Sequence, residues 1–399
     1  MDILVKNGRV VDGFKEFTGD VYIKGGKIED FGTNLNYNCK KIDAGDLCVM
    51  PSFVDMHDHF RDPGFTFKED IYTGSKSALR GGYTFVNLMG NTNPVCSNME
   101  IVDYVLNKSK KFDLVDVHQV VSITKNFDGE TLEHLDTLDK RVKFISDDGK
   151  GVVRNDIMYK AFLKAKEKGL VIISHAEDEN LTPMDNRLSE NLMTIRDISL
   201  AKFSGGRLHL AHVSTKEALE EIIKAKKEGV GVTCEVTPHH LALYDNDYKV
   251  NPPIREKEDA DNLICGLKNG GIDAIATDHA PHSKEDKING ACGISGLESA
   301  FSVCYTVLVK RGYIKLSQLS RLMSFRPGEL MGIRKGKIEV GYDGDLVLVD
   351  LNKKRRIDGS KFLSKGKNTP FDGMEFYGDV IGTVKNGEIK YDGGLTIDY

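Results

Sequence analysis

Eight short apolar runs recur through the middle of the chain: "CVMPSFVDMH", "YTFVNLMG", "LVDVHQVVS", "RVKFIS", "GLVIISH", "GRLHLAH", "GVTCEVT" and "GIDAIATDH". The segments between them carry helical spacing, and two, "DIMYKAFLKAKEKG" and "TKEALEEIIKAKKEG", end on Gly as a helix C-terminus does. A continuous apolar run reads as a strand buried on both faces, and strands that alternate with helices pair in parallel. Eight such units in about 280 residues predict an α/β fold, a (β/α)8 TIM-type barrel. The alternative is an open doubly wound sheet. It is disfavoured by the count of eight and by the lack of GxGxxG after the first run.

The two ends of the chain resemble each other. "ILVKNGRVVDG" (Ile3 to Gly13) and "GTVKNGEIKYDGG" (Gly382 to Gly394) both read as a hairpin turning on Asn-Gly. These predict a small composite β-sandwich domain built from both termini, residues 1–50 and 336–399, around a barrel of residues 51–335.

Charge and cysteine content narrow the partners. A net charge of −5 with both signs mixed gives no field that would draw nucleic acid or an anionic membrane. The basic runs "NKSKKF" and "KKRR" are expected to be a solvated helix end and a solvated loop. Seven scattered cysteines without a CxxC pair argue against a disulfide framework or a zinc knuckle and fit a reducing compartment. The N-terminus lacks a signal pattern, and no apolar stretch reaches the ~18 residues of a membrane span. A cytoplasmic enzyme is expected.

In a barrel of this kind, chemistry sits where strands end. Those ends carry His57, His59, Asn91, Asp147, Asp148, His175, His212, Asp278, His279 and His282. Side chains at i and i+2 of a strand face the same way, so His57 and His59 present both imidazoles to one side, with Arg61 two further on. An HxH alone is weak evidence. With His175, His212 and Asp278 at other strand ends it becomes a nitrogen and oxygen set suited to zinc or a similar ion. A bridging anion between two ions could be Asp148, in "SDDG", or a carboxylated Lys143; a free lysine ammonium has no lone pair to give. A plain turn is the bland reading of Asp-Asp-Gly.

"DMHDHFRDPG", "KEDIYTGSKSALRGGYTFVNLMGNTNP", "DDG", "SHAED", "AHVSTKEAL", "EVTPHHL", "NPPIR", "ATDHAPH" and "GISGLESAF" together resemble the class I dihydroorotases of the amidohydrolase superfamily. The resemblance runs in family order over essentially the whole chain. It implies a metal centre of one or two zinc ions that interconverts N-carbamoyl-L-aspartate and L-dihydroorotate in pyrimidine synthesis, through a metal-activated hydroxide. Carried over by position, it makes His57 and His59 ligands of one ion, His175 and His212 ligands of the other, Asp148 the bridge, and Asp278 both ligand and catalytic acid/base. His59, Arg61, Asn91, Asn251, His282, Cys292 and Gly293 match substrate contacts.

A homodimer is expected, with possible association with aspartate transcarbamoylase. The chain departs from the family pattern at Gly90, at Asp58 between the two histidines, and in short loops at 176–190 and 283–292. The competing readings are a related cyclic amidase such as a hydantoinase, which would need Lys143 carboxylated, and a catalytically silent scaffold. His239 and His240 are expected to be hydrogen-bonded structural residues, His118, His134 and His209 ordinary, and His279 a residue that orients a ligand.

Overall fold

The computed structural model describes residues 2–398. Each apolar run yields a barrel strand, in order Phe53–Asp58, Tyr83–Leu88, Asp116–Gln119, Phe144–Ile145, Val171–Ser174, Arg207–Leu210, Val232–Val236 and Ala274–Ile275. The first three pair in parallel as one sheet and the last five as another. Two parallel bridges, Val121 with Ile145 and Asp58 with His279, close the ring. The result is a (β/α)8 barrel whose strand ends converge on one mouth.

The crossover helices start and stop where local chemistry directs. Asp70 caps Ile71–Gly81 by accepting from the Thr73 amide, and Thr215 caps Lys216–Lys227 by accepting from Ala218. Gly169 ends Asn155–Lys168 in the left-handed region at φ 68°. Inside the barrel a polar chain ties the first four strands together. Lys143 N–H donates to His118 Nε2 (3.0 Å), His118 Nδ1 contacts Asn87 Oδ1 (2.6 Å), and Asn87 Nδ2 donates to the Met56 carbonyl (2.9 Å). Among the described residues, no helix is long and apolar enough to cross a membrane.

Strands from both termini share one branched nine-stranded sheet, ordered from Glu388–Asp392 through Glu375–Lys385, Leu346–Arg356, Cys48–Pro51, Ile3–Val11 and Glu16–Lys24 to Lys27–Gly32. It has its own core, in which Ile3, Val5, Ile23, Ile42, Leu346 and Val384 are fully buried. Two sequence expectations change here. The run "CVMPSFVDMH" is two strands, because Cys48–Pro51 pairs with Ile3–Val11 and Leu346–Arg356 while Phe53–Asp58 enters the barrel. The first Asn-Gly is not a turn either. Ile3–Val11 is one strand, bulged between Val5 and Gly8, with Asn7 at φ 62°. The Asn7 amide donates to Asp20 Oδ1 (2.8 Å) on one neighbour, while Lys40–Asp43 and Cys48–Pro51 occupy the other edge. No edge is left for a hairpin to fold back on.

Candidate active site

His57 and His59 leave the first strand on the same side, as period two requires, and meet carboxylates from opposite parts of the ring. His57 Nε2 lies 3.3 Å from Asp148 Oδ1 and 3.7 Å from Asp278 Oδ1; His59 Nε2 lies 3.1 Å from Asp278 Oδ1 and 3.4 Å from Asp148 Oδ2. From the fifth and sixth strands, His175 Nδ1 and His212 Nε2 stand 2.9 Å apart, at 3.5 Å and 3.7 Å from Asp148 Oδ1. Ligand atoms of His57, Asp148 and His212 fall within 4.8 Å of one another, as do those of His57, His59 and Asp278. His57 belongs to both groups, and Asp148 is the carboxylate common to all four histidines, within 3.7 Å of each. Lys143 stands apart: its Nζ donates 2.7 Å to the Met331 carbonyl, away from the cluster, so the carboxylated-lysine alternative has no place here.

The donor set fits a divalent cation. His57 Nε2 and Asp148 Oδ1 are buried without a hydrogen-bond partner, facing each other across the cluster. A buried polar pair of this kind is costly unless something holds both. Electrostatics point the same way. Burial opposes charge on His57, but Asp148, Glu235 and Asp278 outweigh it and raise the imidazole well above its usual value. Burial likewise opposes charge on Asp148 and Asp278, yet the histidines around them carry both carboxyls well below the usual range. Positive charge is favoured at this spot, as a proton or as a metal.

Above the cluster opens a cavity of about 230 Å³. It is lined by His59, Asp148, His175, His212 and Asp278 together with Arg61, Asn91, Asn251, His282, Cys292 and Gly293. Of the residues the resemblance assigns to metal or substrate only His57 is outside this lining, fully buried. Arg61 is held at φ 58° in the turn closed by the Phe65 amide on its carbonyl (2.9 Å), and its Nε is buried without a partner. Asn91 Oδ1 contacts His59 Nδ1 at 2.9 Å, and His282 Nε2 contacts the Cys292 carbonyl at 2.8 Å. Gly293 sits at φ 135°, where a Cβ would lie 2.5 Å from the Ala280 carbonyl, so only glycine lets this loop approach.

Two carboxylates behind the cluster escaped the sequence reading. Glu235, fully enclosed on the seventh strand, accepts from His57 Nδ1 (2.8 Å) and His209 Nε2 (3.1 Å), and His209 Nδ1 meets Thr233 Oγ1 (2.8 Å). Glu177 contacts His175 Nε2 at 2.7 Å and Asn251 Nδ2 at 2.8 Å. Burial pushes both carboxyls up, but their histidine partners bring each down to about 2. His209, expected to be ordinary, is thus part of a chain ending on His57. For Glu235 the signal lay in "CEVT", where an acid stands inside an apolar strand; for Glu177 it lay in "HAED", where an acid follows His175 by two residues.

Other expectations are corrected. The His279 ring touches no cluster side chain: its Nδ1 accepts from the Gly296 amide (3.1 Å) and its Nε2 lies 3.4 Å from Glu69 Oε2, and it reaches the cluster through its backbone carbonyl, which accepts from the His59 amide (2.9 Å). His240 is hydrogen-bonded to Thr237 and to the Pro252 carbonyl, but neither nitrogen of buried His239 has a partner among the described residues. Asp147 receives the Ile123 and Thr124 amides and shapes the loop that presents Asp148.

Residues 48–390 match the amidohydrolase family, a metal-dependent one. The dihydroorotase of Clostridium botulinum (strain Eklund 17B / Type B) is 52% identical over 98% of this chain and 100% of its own length. The dihydroorotase of Thermoanaerobacter sp. (strain X514) is 43% identical over 98% and 97%. Among solved structures, the L-hydantoinase (dihydropyrimidinase) of Arthrobacter aurescens superimposes with a TM-score of 0.89 at 28% identity, covering 98% of this chain and 96% of that one. The fold is therefore shared across cyclic amidases, while the closer sequence kinship is with one kind of them: the chain belongs to the amidohydrolase family, within its dihydroorotases.

Proposed function

We infer that the protein interconverts N-carbamoyl-L-aspartate and L-dihydroorotate in pyrimidine synthesis. The observation that carries this is Arg61, a half-buried cation whose Nε is enclosed, lining the same cavity as the histidine and aspartate cluster. A substrate with a second carboxylate needs such a planar fork, whereas an uncharged hydantoin ring does not. Lys143, which a hydantoinase-type centre would need at the cluster, is bonded elsewhere.

One or two zinc ions would be held by His57, His59, His175, His212, Asp278 and, between them, Asp148. When bound, such ions polarise a carboxylate or amide carbonyl and lower the pKa of water. The remaining work belongs to the chain. Arg61 grips the substrate carboxylate that does not react, and Asn91, Asn251 and His282 fix the rest, with the backbone at Cys292 and Gly293 against the ring. In closure, the ureido nitrogen forms a bond to the reacting carboxylate carbon and one C–O bond breaks; the departing oxygen takes two protons, one from that nitrogen and one from solvent, and leaves as water. Asp278 takes the proton from the nitrogen and delivers it to the departing oxygen; in hydrolysis it moves the proton the other way. Its depressed pKa keeps it ionised and ready to accept.

This reading includes a cytoplasmic homodimer, with association with aspartate transcarbamoylase as a further possibility for assembly. It also assigns residues 51–335 to the catalytic barrel and 1–50 with 336–399 to the β domain. A side-by-side assay with dihydroorotate, hydantoin and allantoin, with metal analysis of the same preparation, tests the activity. Turnover of dihydroorotate at least 100-fold above the others is expected. Preference for hydantoin, or no turnover by metal-loaded protein, would overturn it.

A further inference from the structure

The basic run "KKRR" does not form the solvated loop its composition suggests. It ends the strand Leu346–Arg356, where Arg355 stands opposite Phe376 and Arg356 opposite Glu375 on the neighbouring strand. The barrel helix Ile71–Gly81 brings Arg80 to the same place. Between them opens a cavity of about 350 Å³, walled in part by Arg80, Glu298, Arg355, Arg356, Lys361 and Tyr391. It shares no residue with the cavity over the histidine cluster.

Positive charge exceeds negative charge here. Asp379 is one carboxylate for three cations, Arg80 at 2.7 Å, Lys353 at 3.0 Å and Arg355 at 3.9 Å. Arg80 is satisfied by that contact, by the Val380 carbonyl (3.1 Å) and by the Tyr391 ring, 5.3 Å away at its centroid. Arg355 is not. Its Nη1 donates to the Glu298 carbonyl, its Nη2 has no hydrogen-bond partner among the described residues, and its side chain is only 13% exposed. The Glu298 carboxylate is committed elsewhere, accepting from Ser77 Oγ (3.0 Å) and from the Leu363 and Ser364 amides (2.6 Å and 3.1 Å). Burial and the nearby Arg80 charge bring the Arg355 guanidinium down to about 10. Lys361 turns to Asp358 (3.1 Å), while exposed Arg356 has no ion pair among the described residues.

A mostly buried guanidinium beside a like charge is costly unless an anion completes the set. A tie between the barrel and the β domain explains Arg80, because its bond to Asp379 joins the two. It gives Arg355 no reason to lose solvent next to that bond. We propose that this cavity binds a phosphoryl anion, as free phosphate or as the phosphate end of a small metabolite, in the forks of Arg355 and Arg356 with Arg80 behind them. Planar guanidinium groups match phosphate oxygens in pairs, and a recess of this size admits a small molecule.

Isothermal titration of the metal-loaded protein with inorganic phosphate, with a nucleoside monophosphate and with the same nucleoside unphosphorylated tests the site. Arg61 in the catalytic cavity is also a cation, so each titration is repeated on Arg61→Met and on the double variant Arg355→Gln, Arg356→Gln. A phosphate site is expected that survives Arg61→Met and weakens by about 10-fold or more in the double variant, the loss of charge-assisted bonds from two guanidinium groups. Arg356→Gln alone, at an exposed position, should weaken it about threefold or more at unchanged Tm, which keeps the test valid if the double variant unfolds. A nucleoside monophosphate that binds tighter than phosphate, with no binding of the nucleoside, assigns the site to a phosphate ester; equal binding of the two assigns it to free phosphate. No binding by wild type, binding that Arg61→Met removes, or binding that both Arg356 variants leave unchanged would overturn the proposal.

Discussion

Three residues of the candidate site, Arg61, His212 and Asp278, hold left-handed backbone at φ 58°, 33° and 47°. None is glycine; Asp and His enter that region more readily than most side chains, but Arg61 does not and carries a cost of order 1 kcal/mol or more. Each stands where the chain leaves a strand and must turn a polar group over the barrel mouth. Arg61→Met, which keeps the length but removes the fork, should leave metal content intact and reduce kcat/KM for dihydroorotate about 10²–10⁴-fold, the loss of two charge-assisted hydrogen bonds. Metal loss in that variant would refute the assigned role. Asp278→Asn should reduce kcat by about 10²–10⁴-fold, measured on metal-replete protein. For Glu235→Gln the readout is metal affinity: a carboxylate that orients His57 from behind should be worth about 10–100-fold in chelator competition. Unchanged affinity would make Glu235 a packing residue. The ligand-type residues were legible because His, Asp and Arg at strand ends have few other reasons to be there. Glu235 was not, because an acid in a strand reads as a solvent-facing position until His57, distant in sequence, is placed beside it; Glu177 was not, because an acid in the loop past a strand reads as solvated even with His175 two residues before it.

At the scale of elements, the tetrapeptide "VKNG" occurs twice, at 5–8 and 384–387, and takes two structures. At 384–387 it turns, with Asn386 at φ 52° and Gly387 at φ 74° between paired Lys385 and Glu388. At 5–8 it bulges within a strand that has partners on both edges. Local sequence states a preference for φ > 0 at Asn, which both copies satisfy; whether the chain reverses depends on which strands compete for the edge. The same limit explains the missed break at Ser52, since one apolar run can feed two sheets without a change in composition. The eight barrel strands, by contrast, were legible because burial on both faces demands continuous apolar runs wherever the partners lie. The two glycines should therefore respond differently to alanine. Gly387→Ala meets backbone strain at φ 74° and should cost about 1 kcal/mol. At Gly8 a Cβ would lie 2.5 Å from Val49 Cγ2, so overpacking should cost about 1–3 kcal/mol. Urea midpoints of the two variants decide; equal costs would contradict the account of the bulge.

For the molecule as a whole, the interior polar chain couples barrel integrity to pH. His118 Nε2 accepts the Lys143 amide, so a second proton on that ring must break the link between the third and fourth strands. Burial, with the Lys143 charge adding to it, lowers the His118 imidazole to about 3, against about 6.5 in an unfolded chain. Between those values the unfolded state binds a proton that the folded state refuses. This contribution to stability is therefore complete above about pH 6.5 and declines as pH falls toward 3, by at most about 1.4 kcal/mol per pH unit. Buried Asp147 and Asp55 act with the opposite sign, because burial raises them to about 7 and about 6 and the folded state keeps their protons longer. Wild-type stability alone mixes these slopes, but a difference between two proteins cancels them. His118→Gln, which can still accept the Lys143 amide but does not titrate, should be less stable than wild type at pH 7.5. That gap should shrink by about 2 kcal/mol on going to pH 5. Urea unfolding at both pH values measures it. A gap that stays constant would mean that His118 takes up its proton in the folded barrel as readily as in the unfolded chain, and that the chain from Met56 to Lys143 does not hold the ring closed.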